Sequence, residues 1–204
     1  MKIRQELHEF RTIVGLGANL CGRWGTPAQT LAGAVRRLAE ADGVGLLRLS
    51  RLWRSAAYGG VPQPPFVNAV ALVRTTLSPH ALLKLLMIVE RAAGRRRGIA
   101  WGPRVLDLDL IDHGGKVMRP SGVGRLGGAE TLHRLQRRGL ILPHPDVRAR
   151  AFVLLPLAEV WPGWRHPVTG ESLAAMLARL PARERATCRP LPTSTREWRL
   201  LQSQ

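Results

Sequence analysis

The chain has 204 residues, and its 31 lysines and arginines outnumber its 14 acidic residues, which gives a net charge of +17. Hydrophobic residues make up 45% of the chain, enough to bury one core without disulfide bonds or structural metals, and this content excludes global disorder. No apolar run approaches the roughly 20 residues that cross a bilayer, the first ten residues are too charged for a signal peptide, and two cysteines are too few for a disulfide framework. We therefore expect a single domain in the cytoplasm, with no membrane partner.

The first half of the chain predicts strands and helices in the order βαββαβ. Strands are predicted at 11–18, 46–55, 66–76 and 104–112, and helices from Thr26-Pro27 to near Gly43 and from Ser78-Pro79 to near Gly94. A serine or threonine followed by proline is typical of a helix start. This order is that of a ferredoxin-like α+β fold, with a mainly antiparallel sheet and both helices on one face.

The second half of the chain has a weaker pattern. We predict an insertion at 119–139 with a short helix at 129–137, a strand at 140–142, and helices at 150–160 and 172–180. The residues after Pro181 are expected to form a poorly ordered tail. The whole chain is then one domain, with its core at about 12–180.

Paired carboxylates on the last strand of the βαββαβ order are the sharpest chemical feature. Asp107 and Asp109 alternate with leucines, so both carboxylates project from one face of the strand. Two close carboxylates repel each other unless a cation separates them, and an oxygen-only donor pair favours Mg²⁺ with phosphate and water as further ligands. The alternative is a half-exposed strand that carries two aspartates without function. The cationic loop 94–98 just upstream favours a phosphate site, because arginine binds phosphate strongly.

Three other positions are candidates for ligand contacts. Asn68 lies inside an apolar strand, where its amide is either a satisfied structural group or a recognition group for a planar heterocycle. Phe66 and Phe152 could sandwich such a ring, although each is also a plausible core residue. His144 lies between two prolines and is followed by two arginines, a setting that suits phosphate contact.

The excess of basic residues also suggests nucleic-acid binding, but aromatic residues are only 5% of the chain and no stacking platform alternates with arginine. Solvated surface charge, drawn on in part by a polyanionic small substrate, accounts for it better. Two alternatives to phosphoryl transfer stay open at this point. One is a D-x-D glycosyltransferase, and the other is a basic nucleic-acid-binding module.

Taken together, these motifs resemble the 6-hydroxymethyl-7,8-dihydropterin pyrophosphokinase family. The resemblance extends over about residues 12–162, in the family's order. It is carried by Gly-Leu-Gly-Ala-Asn-Leu at 15–20, Phe-Val-Asn-Ala at 66–69, Glu90 with Gly94-Arg95, Trp-Gly-Pro-Arg-Val-Leu-Asp-Leu-Asp at 101–109, Leu-Pro-His-Pro at 142–145 and Arg-Ala-Phe-Val-Leu-Leu-Pro-Leu at 150–157. The resemblance implies a three-layer α-β-α sandwich built on the ferredoxin-like order.

The resemblance also implies an activity and its residues. A member transfers the pyrophosphoryl group of ATP to the hydroxymethyl group of the pterin and releases AMP. The catalytic residues would be Asp107, Asp109, Arg95 and Arg104, with the two aspartates holding two Mg²⁺ ions. The pterin would contact Ser55, Ala57, Tyr58, Phe66, Asn68 and Phe152. ATP would contact Glu90, Arg95, Trp101, Arg104, Ile111, His144 and Arg150. The expected partners are these two small molecules, with no nucleic acid, and the expected state is a monomer.

Overall fold

The computed structural model describes residues 9–57, 62–96, 102–119, 139–192 and 195–203. Within these ranges the strands are β1 (Phe10–Ala18), β2 (Val44–Leu49), β3 (Trp53–Ser55), β4 (Phe66–Thr75), β5 (Asp107–His113) and β6 (Arg189–Pro190). The helices are α1 (Pro27–Ala39), α2 (Pro79–Ala92), α3 (Ala151–Val160), α4 (Leu173–Arg179), α5 (Ala182–Thr187) and α6 (Arg196–Gln202), and a 3₁₀ turn covers Val147–Ala149.

The predicted helix starts are confirmed by their caps. The side chain of Thr26 accepts a hydrogen bond from the backbone N–H of Gln29, and Ser78 does the same for Ala81. In both helices the next residue is a proline, which has no N–H to satisfy at the first helical position. Each helix therefore begins at the residue where local chemistry supplies the missing hydrogen-bond partner.

One antiparallel sheet forms the centre of the molecule. Its strand order is β5-β1-β4-β3-β6, and β2 also pairs with β4. β1 lies between β4 and β5, so that Gly17 is opposite Asn68 on one side and opposite Asp107 on the other. This register brings the carboxylate strand and the asparagine strand to the same end of the sheet.

Helices cover both faces of the sheet and form two cores. On one face α1, α2 and α6 pack on side chains that include Val14, Leu16 and Leu108. On the other face α3 and α4 pack on Ile13, Val70 and Ile111. Neighbouring residues of a strand thus enter opposite cores, as strand geometry requires. The α+β class and the three layers expected from the sequence are confirmed. In the described ranges, no helix is long and apolar enough to cross a membrane.

The predicted strand at 46–55 is wrong in one respect, because it is divided into β2 and β3. At the break, the hydroxyl of Ser50 accepts a hydrogen bond from Val70 N at 3.0 Å and donates to Arg51 O at 2.8 Å. A serine side chain that replaces a backbone partner interrupts the regular ladder. The apolar alternation across 46–55 does not reveal this competition.

The prediction of a poorly ordered tail after Pro181 is also wrong. Residues 182–192 and 195–203 form α5, β6 and α6, and the Trp198 side chain is fully buried. Trp198 and Leu201 are three residues apart, so both lie on the inner face of α6. Docking against the rest of the protein therefore orders a segment whose composition is that of a tail.

The remaining predictions for the second half have mixed outcomes. The helices at 150–160 and 172–180 are confirmed as α3 and α4. The predicted strand at 140–142 is reduced to a single bridge between Leu142 and Met118. Residues 120–138 of the expected insertion, including the predicted helix at 129–137, lie outside the described residues.

We predict that Leu86→Ala, which empties space under α2, lowers the free energy of unfolding by about 2–5 kcal/mol, because Leu86 is fully buried. Urea denaturation followed by circular dichroism measures this change. Leu47→Ala is the matched control, since Leu47 is 40% exposed and should lose only about 0.5 kcal/mol. Equal losses in the two variants would contradict the assignment of Leu86 to the core.

Candidate active site

A cavity of about 1350 Å³ opens at the end of the sheet where β1, β4 and β5 meet. The C-terminal half of α2 and the start of α3 complete its walls. Its lining includes Gly17, Ser55, Phe66, Asn68, Glu90, Arg95, Arg104, Asp107, Asp109, Leu110, His144, Asp146, Arg150 and Phe152. Most of the residues that the sequence nominated therefore face one space.

The two carboxylates of β5 are presented to this cavity as the strand alternation predicts. The side chains of Asp107 and Asp109 are 26% and 34% exposed, whereas Leu108 and Leu110 are buried. Their backbone is fixed by pairing with Gly17 and Gly15 of β1. The carboxylates thus share one face and stay accessible.

Two arginines hold Asp107. Arg95, from the loop after α2, and Arg104, from the loop before β5, each donate a hydrogen bond from Nη1 to Asp107 Oδ1 at 2.7 Å. Both guanidinium groups are partly exposed, at 29% and 27%. Two guanidinium groups on one oxygen neutralise this carboxylate, and their remaining N–H groups suit an anionic ligand.

Glu90 connects α2 to the carboxylate strand. Its Oε1 accepts hydrogen bonds from Leu108 N, at 2.7 Å, and from Arg95 Nη1, while its carbonyl accepts from Arg95 N at 3.0 Å. Burial raises the pKa of Glu90 to about 7, and the negative charge of Asp107 adds to this effect against the attraction of Arg95. Glu90 therefore positions both β5 and the arginine loop.

A second group of charges surrounds Asp109. Arg150 donates one hydrogen bond to Asp109 Oδ2 at 3.2 Å and another to Asp146 Oδ2 at 2.8 Å. His144 Nε2 lies 4.0 Å from Asp109 Oδ2. Burial raises the pKa of Asp109, but the surrounding cations outweigh it and keep this pKa below its ordinary value. Burial lowers the pKa of His144, against the attraction of Asp109, which raises it.

The donor set fits a hard divalent cation. Asp107 and Asp109 offer carboxylate oxygens, which Mg²⁺ prefers. Across the described ranges, no group of three or more His, Cys, Asp or Glu side chains is placed to hold a metal. A cation bound by only two protein carboxylates needs further oxygen ligands, and water and phosphate supply them in typical Mg²⁺ sites.

The opposite side of the cavity presents an amide. Asn68 is buried, and its Nδ2 donates to Ser55 Oγ at 2.9 Å. Gly17 lies beneath it, and a Cβ there would be 3.3 Å from Asn68 Oδ1 and 3.7 Å from Phe66 Cδ1. Among the described residues the side-chain amide has this one partner, so it keeps hydrogen-bonding capacity for a ligand.

Aromatic and apolar residues flank this amide. Phe66 and Phe152 both line the cavity, and the Arg150 guanidinium lies 5.6 Å from the centroid of the Phe152 ring. Ala57 lines a smaller adjoining cavity of about 280 Å³. Tyr58 and Trp101, both nominated from the sequence, lie outside the described residues.

Ile111 is the nominated residue that the structure places elsewhere. Its side chain is fully buried in the core under α3 and is absent from the lining of the cavity, whereas Leu110 belongs to that lining. Ile111 follows Asp109 on the same face of β5, but α3 covers the strand at that point. Its carbonyl accepts a hydrogen bond from His144 N at 2.8 Å, so Ile111 supports the site through its backbone.

Comparisons with known proteins agree with this geometry. The 7,8-dihydro-6-hydroxymethylpterin-pyrophosphokinase (HPPK) family matches residues 13–162. The chain belongs to the HPPK family. A 2-amino-4-hydroxy-6-hydroxymethyldihydropteridine pyrophosphokinase from Synechocystis is 37% identical over 81% of this chain and 73% of its own length. The one from Methylorubrum extorquens is 36% identical over 83% of this chain and 93% of its own.

A crystal structure of Plasmodium falciparum HPPK-DHPS with STZ-DHP has a TM-score of 0.62 to this chain. The two are 13% identical over 87% of this chain, and the match covers 45% of the Plasmodium chain. This likeness supports the fold. Residues 163–203, which include α4, α5, β6 and α6, lie beyond the HPPK family match.

Two polar residues that support the walls of this cavity were not predicted from the sequence. Asn19, just after β1, donates to Gln63 Oε1 and Pro64 O and accepts from Arg104 N at 2.7 Å. It thereby joins the loop before β4 to the loop before β5. Asp146 holds Arg150, and its backbone N–H donates to His144 Nδ1 at 3.2 Å. A polar residue directly after an apolar strand was the available signal for Asn19, but its partners are distant in sequence.

We predict that Glu90 makes the free energy of unfolding fall as the pH rises from about 4.5 to about 7. Its ordinary pKa is 4.5, so in this window the folded chain retains a proton that the unfolded chain has lost. The integrated effect is on the order of 3 kcal/mol. Glu90→Gln should remove this part of the slope in urea titrations of the protein in EDTA.

Glu184→Gln is the control, because it leaves Glu90 in place and should keep the slope of the wild type. An unchanged slope in Glu90→Gln would show that another group is responsible.

Proposed function

We propose that this HPPK chain transfers the pyrophosphoryl group of ATP to the hydroxymethyl group of 6-hydroxymethyl-7,8-dihydropterin, giving the pterin diphosphate and AMP. One observation carries the proposal. The same cavity is lined by two carboxylates that are hydrogen-bonded to arginines and by the buried amide of Asn68. The first group suits a polyphosphate with its cation, and the second suits the edge of a planar heterocycle. Family membership supports this activity and gives no support to a glycosyltransferase or a nucleic-acid-binding module.

The triphosphate would lie along β5. Asp107 and Asp109 would hold Mg²⁺, and we propose two ions, which would neutralise the phosphate charge that develops during transfer. Three arginines donate hydrogen bonds to these carboxylates: Arg95, Arg104 and Arg150. Arg95 and Arg104 lie in loops, so each can turn from Asp107 to a phosphate oxygen with little change in the strands. Guanidinium groups bind phosphate through two parallel hydrogen bonds, which fixes its orientation.

The pterin would lie on Asn68. The amide offers a donor and an acceptor, which match the amide-like edge of the pterin ring, and Ser55 Oγ fixes its orientation. Phe66 and Phe152 would contact the two ring faces, since aromatic stacking favours such a sandwich. The hydroxymethyl oxygen would then bond to the β-phosphorus of ATP and lose its proton, as the bond from that phosphorus to the leaving AMP oxygen breaks. Positioning supplies much of the catalysis.

The proposal also assigns supporting roles. Glu90 would hold the Arg95 loop against β5, and His144 would contact the nucleotide beside Asp109. We also propose that the protein acts as a monomer. We place the reaction in the cytoplasm.

We predict that Asp107→Asn and Asp109→Asn each lower the rate of AMP formation by about 1,000-fold or more. Metal coordination is worth several kcal/mol in the transition state, and the amide removes the charge at constant shape. The assay mixes protein, ATP, Mg²⁺ and hydroxymethyl-dihydropterin and measures AMP by chromatography. Asp42→Asn, an exposed position distant from the cavity in sequence, is the control and should keep full activity. Activity near that of the wild type in both β5 variants would refute the carboxylate assignment.

We predict that Asn68→Ala weakens pterin binding by about tenfold, because a neutral hydrogen bond contributes about 1 kcal/mol and the variant removes more than one. Isothermal titration calorimetry measures the dissociation constants of the pterin and of an ATP analogue separately. The affinity for the analogue is the internal control and should not change. An equal loss for both ligands would indicate a general structural defect instead.

A further inference from the structure

The C-terminal segment of residues 182–203 lies beyond the part of the chain that matches the family. Among the described residues it contains α5, β6 and α6. The segment docks on residues 49–54, which lead directly into the pterin side of the cavity. Its contacts with this stretch are specific hydrogen bonds as well as apolar packing.

β6 extends the sheet next to β3. Trp53 pairs with Pro190 and Arg54 pairs with Arg189, and Leu191 N donates to Leu52 O at 2.8 Å. β3 has only three residues, with β4 on its other side. So short a strand depends on neighbours on both sides to keep a fixed position.

α6 binds the break between β2 and β3. The indole Nε1 of Trp198 donates to Ser50 O at 3.0 Å, and Gln202 Nε2 donates to Leu49 O at 3.2 Å. The first of these bonds is buried together with the Trp198 ring. The two carbonyls belong to the end of β2 and the residue that follows it. The segment therefore supplies partners where the sheet ladder is interrupted.

The position of β3 determines the position of Ser55. Ser55 is the last residue of β3, lies opposite Phe66 of β4, and accepts the hydrogen bond of Asn68. The segment also reaches the cavity wall at this point. The two cavities share three lining residues, Ser55, Ala56 and Phe152. The smaller one is also lined by four residues of the segment, Arg183, Glu184, Thr187 and Cys188.

We propose that the C-terminal segment is a positioning element for the pterin substrate, which acts by holding β3 so that Ser55 orients the amide of Asn68. This inference rests on the proposed function, because it assigns the segment to one of the two substrates. The proposed ATP contacts lie on β5 and the loops around it, and among the described residues this segment makes no hydrogen bond or strand pairing there. The segment should therefore affect the two substrates unequally.

The test uses the full chain with the paired substitution Trp198→Phe and Gln202→Met. Phenylalanine keeps an aromatic ring and methionine keeps the length of the glutamine side chain, and both lack the donors to Ser50 O and Leu49 O. We expect the KM for the pterin to rise about three- to tenfold, the range for loss of one neutral hydrogen bond between Asn68 and the pterin. The KM for ATP should stay within about twofold, as the phosphate side is untouched.

Trp164→Phe is the matched control. Trp164 is also a buried tryptophan, and its Nε1 donates to Asp112 on the other face of the sheet. This variant should lose stability but keep the KM for the pterin. Hydrogen exchange provides a second readout, because amides of residues 50–55 should exchange faster only in the paired variant.

An unchanged KM for the pterin and unchanged exchange at 50–55 would overturn the proposal and leave the segment a stabilising role alone. If the paired variant does not fold, each single substitution is measured. A smaller rise in the same KM supports the proposal, and no rise overturns it. Absence of AMP formation by the wild type would refute the proposed function itself. This result differs from the outcomes that support or overturn the role of the C-terminal segment.

Discussion

The site depends on the balance of charge around two aspartates of one strand. Asp107 receives hydrogen bonds from Arg95 and Arg104, and Asp109 receives one from Arg150. Without these partners two carboxylates on one face would repel each other and destabilise the strand. With them, both carboxylates stay on one face and accessible to the cavity. The arginines that stabilise the strand are also those best placed to bind phosphate, so a single set of contacts supports both the fold and the chemistry.

The sheet determines which groups can act together. β1 is central and pairs with both β4 and β5. Asn68 and Asp107 therefore lie on either side of Gly17. Elements far apart in sequence then complete the site: Glu90 from α2, and His144 and Arg150 from the turn before α3. Each of these is attached to β5 by a hydrogen bond from or to its backbone or carboxylates.

The features that the sequence could predict are those set by local chemistry. Strand alternation placed the two aspartates correctly, and Thr26 and Ser78 marked the helix starts. The split at Ser50 and the docking of Trp198 could not be predicted, because their hydrogen bonds join residues 20 and 148 positions apart. The predicted ATP contact of Ile111 was wrong for a similar reason. Alternation predicts the face of the strand on which a side chain lies, but not which part of that face a later helix covers.

Gly17 illustrates how the floor of the cavity is built from backbone alone. Any side chain there would press on the Asn68 amide and approach the Phe66 ring, while most of β1 would remain paired and its core side chains would stay buried. A substitution of Gly17 would therefore change the free energy of unfolding little. Its effect would be seen when ligand binding is measured. At this point the floor of the cavity is formed by backbone atoms alone.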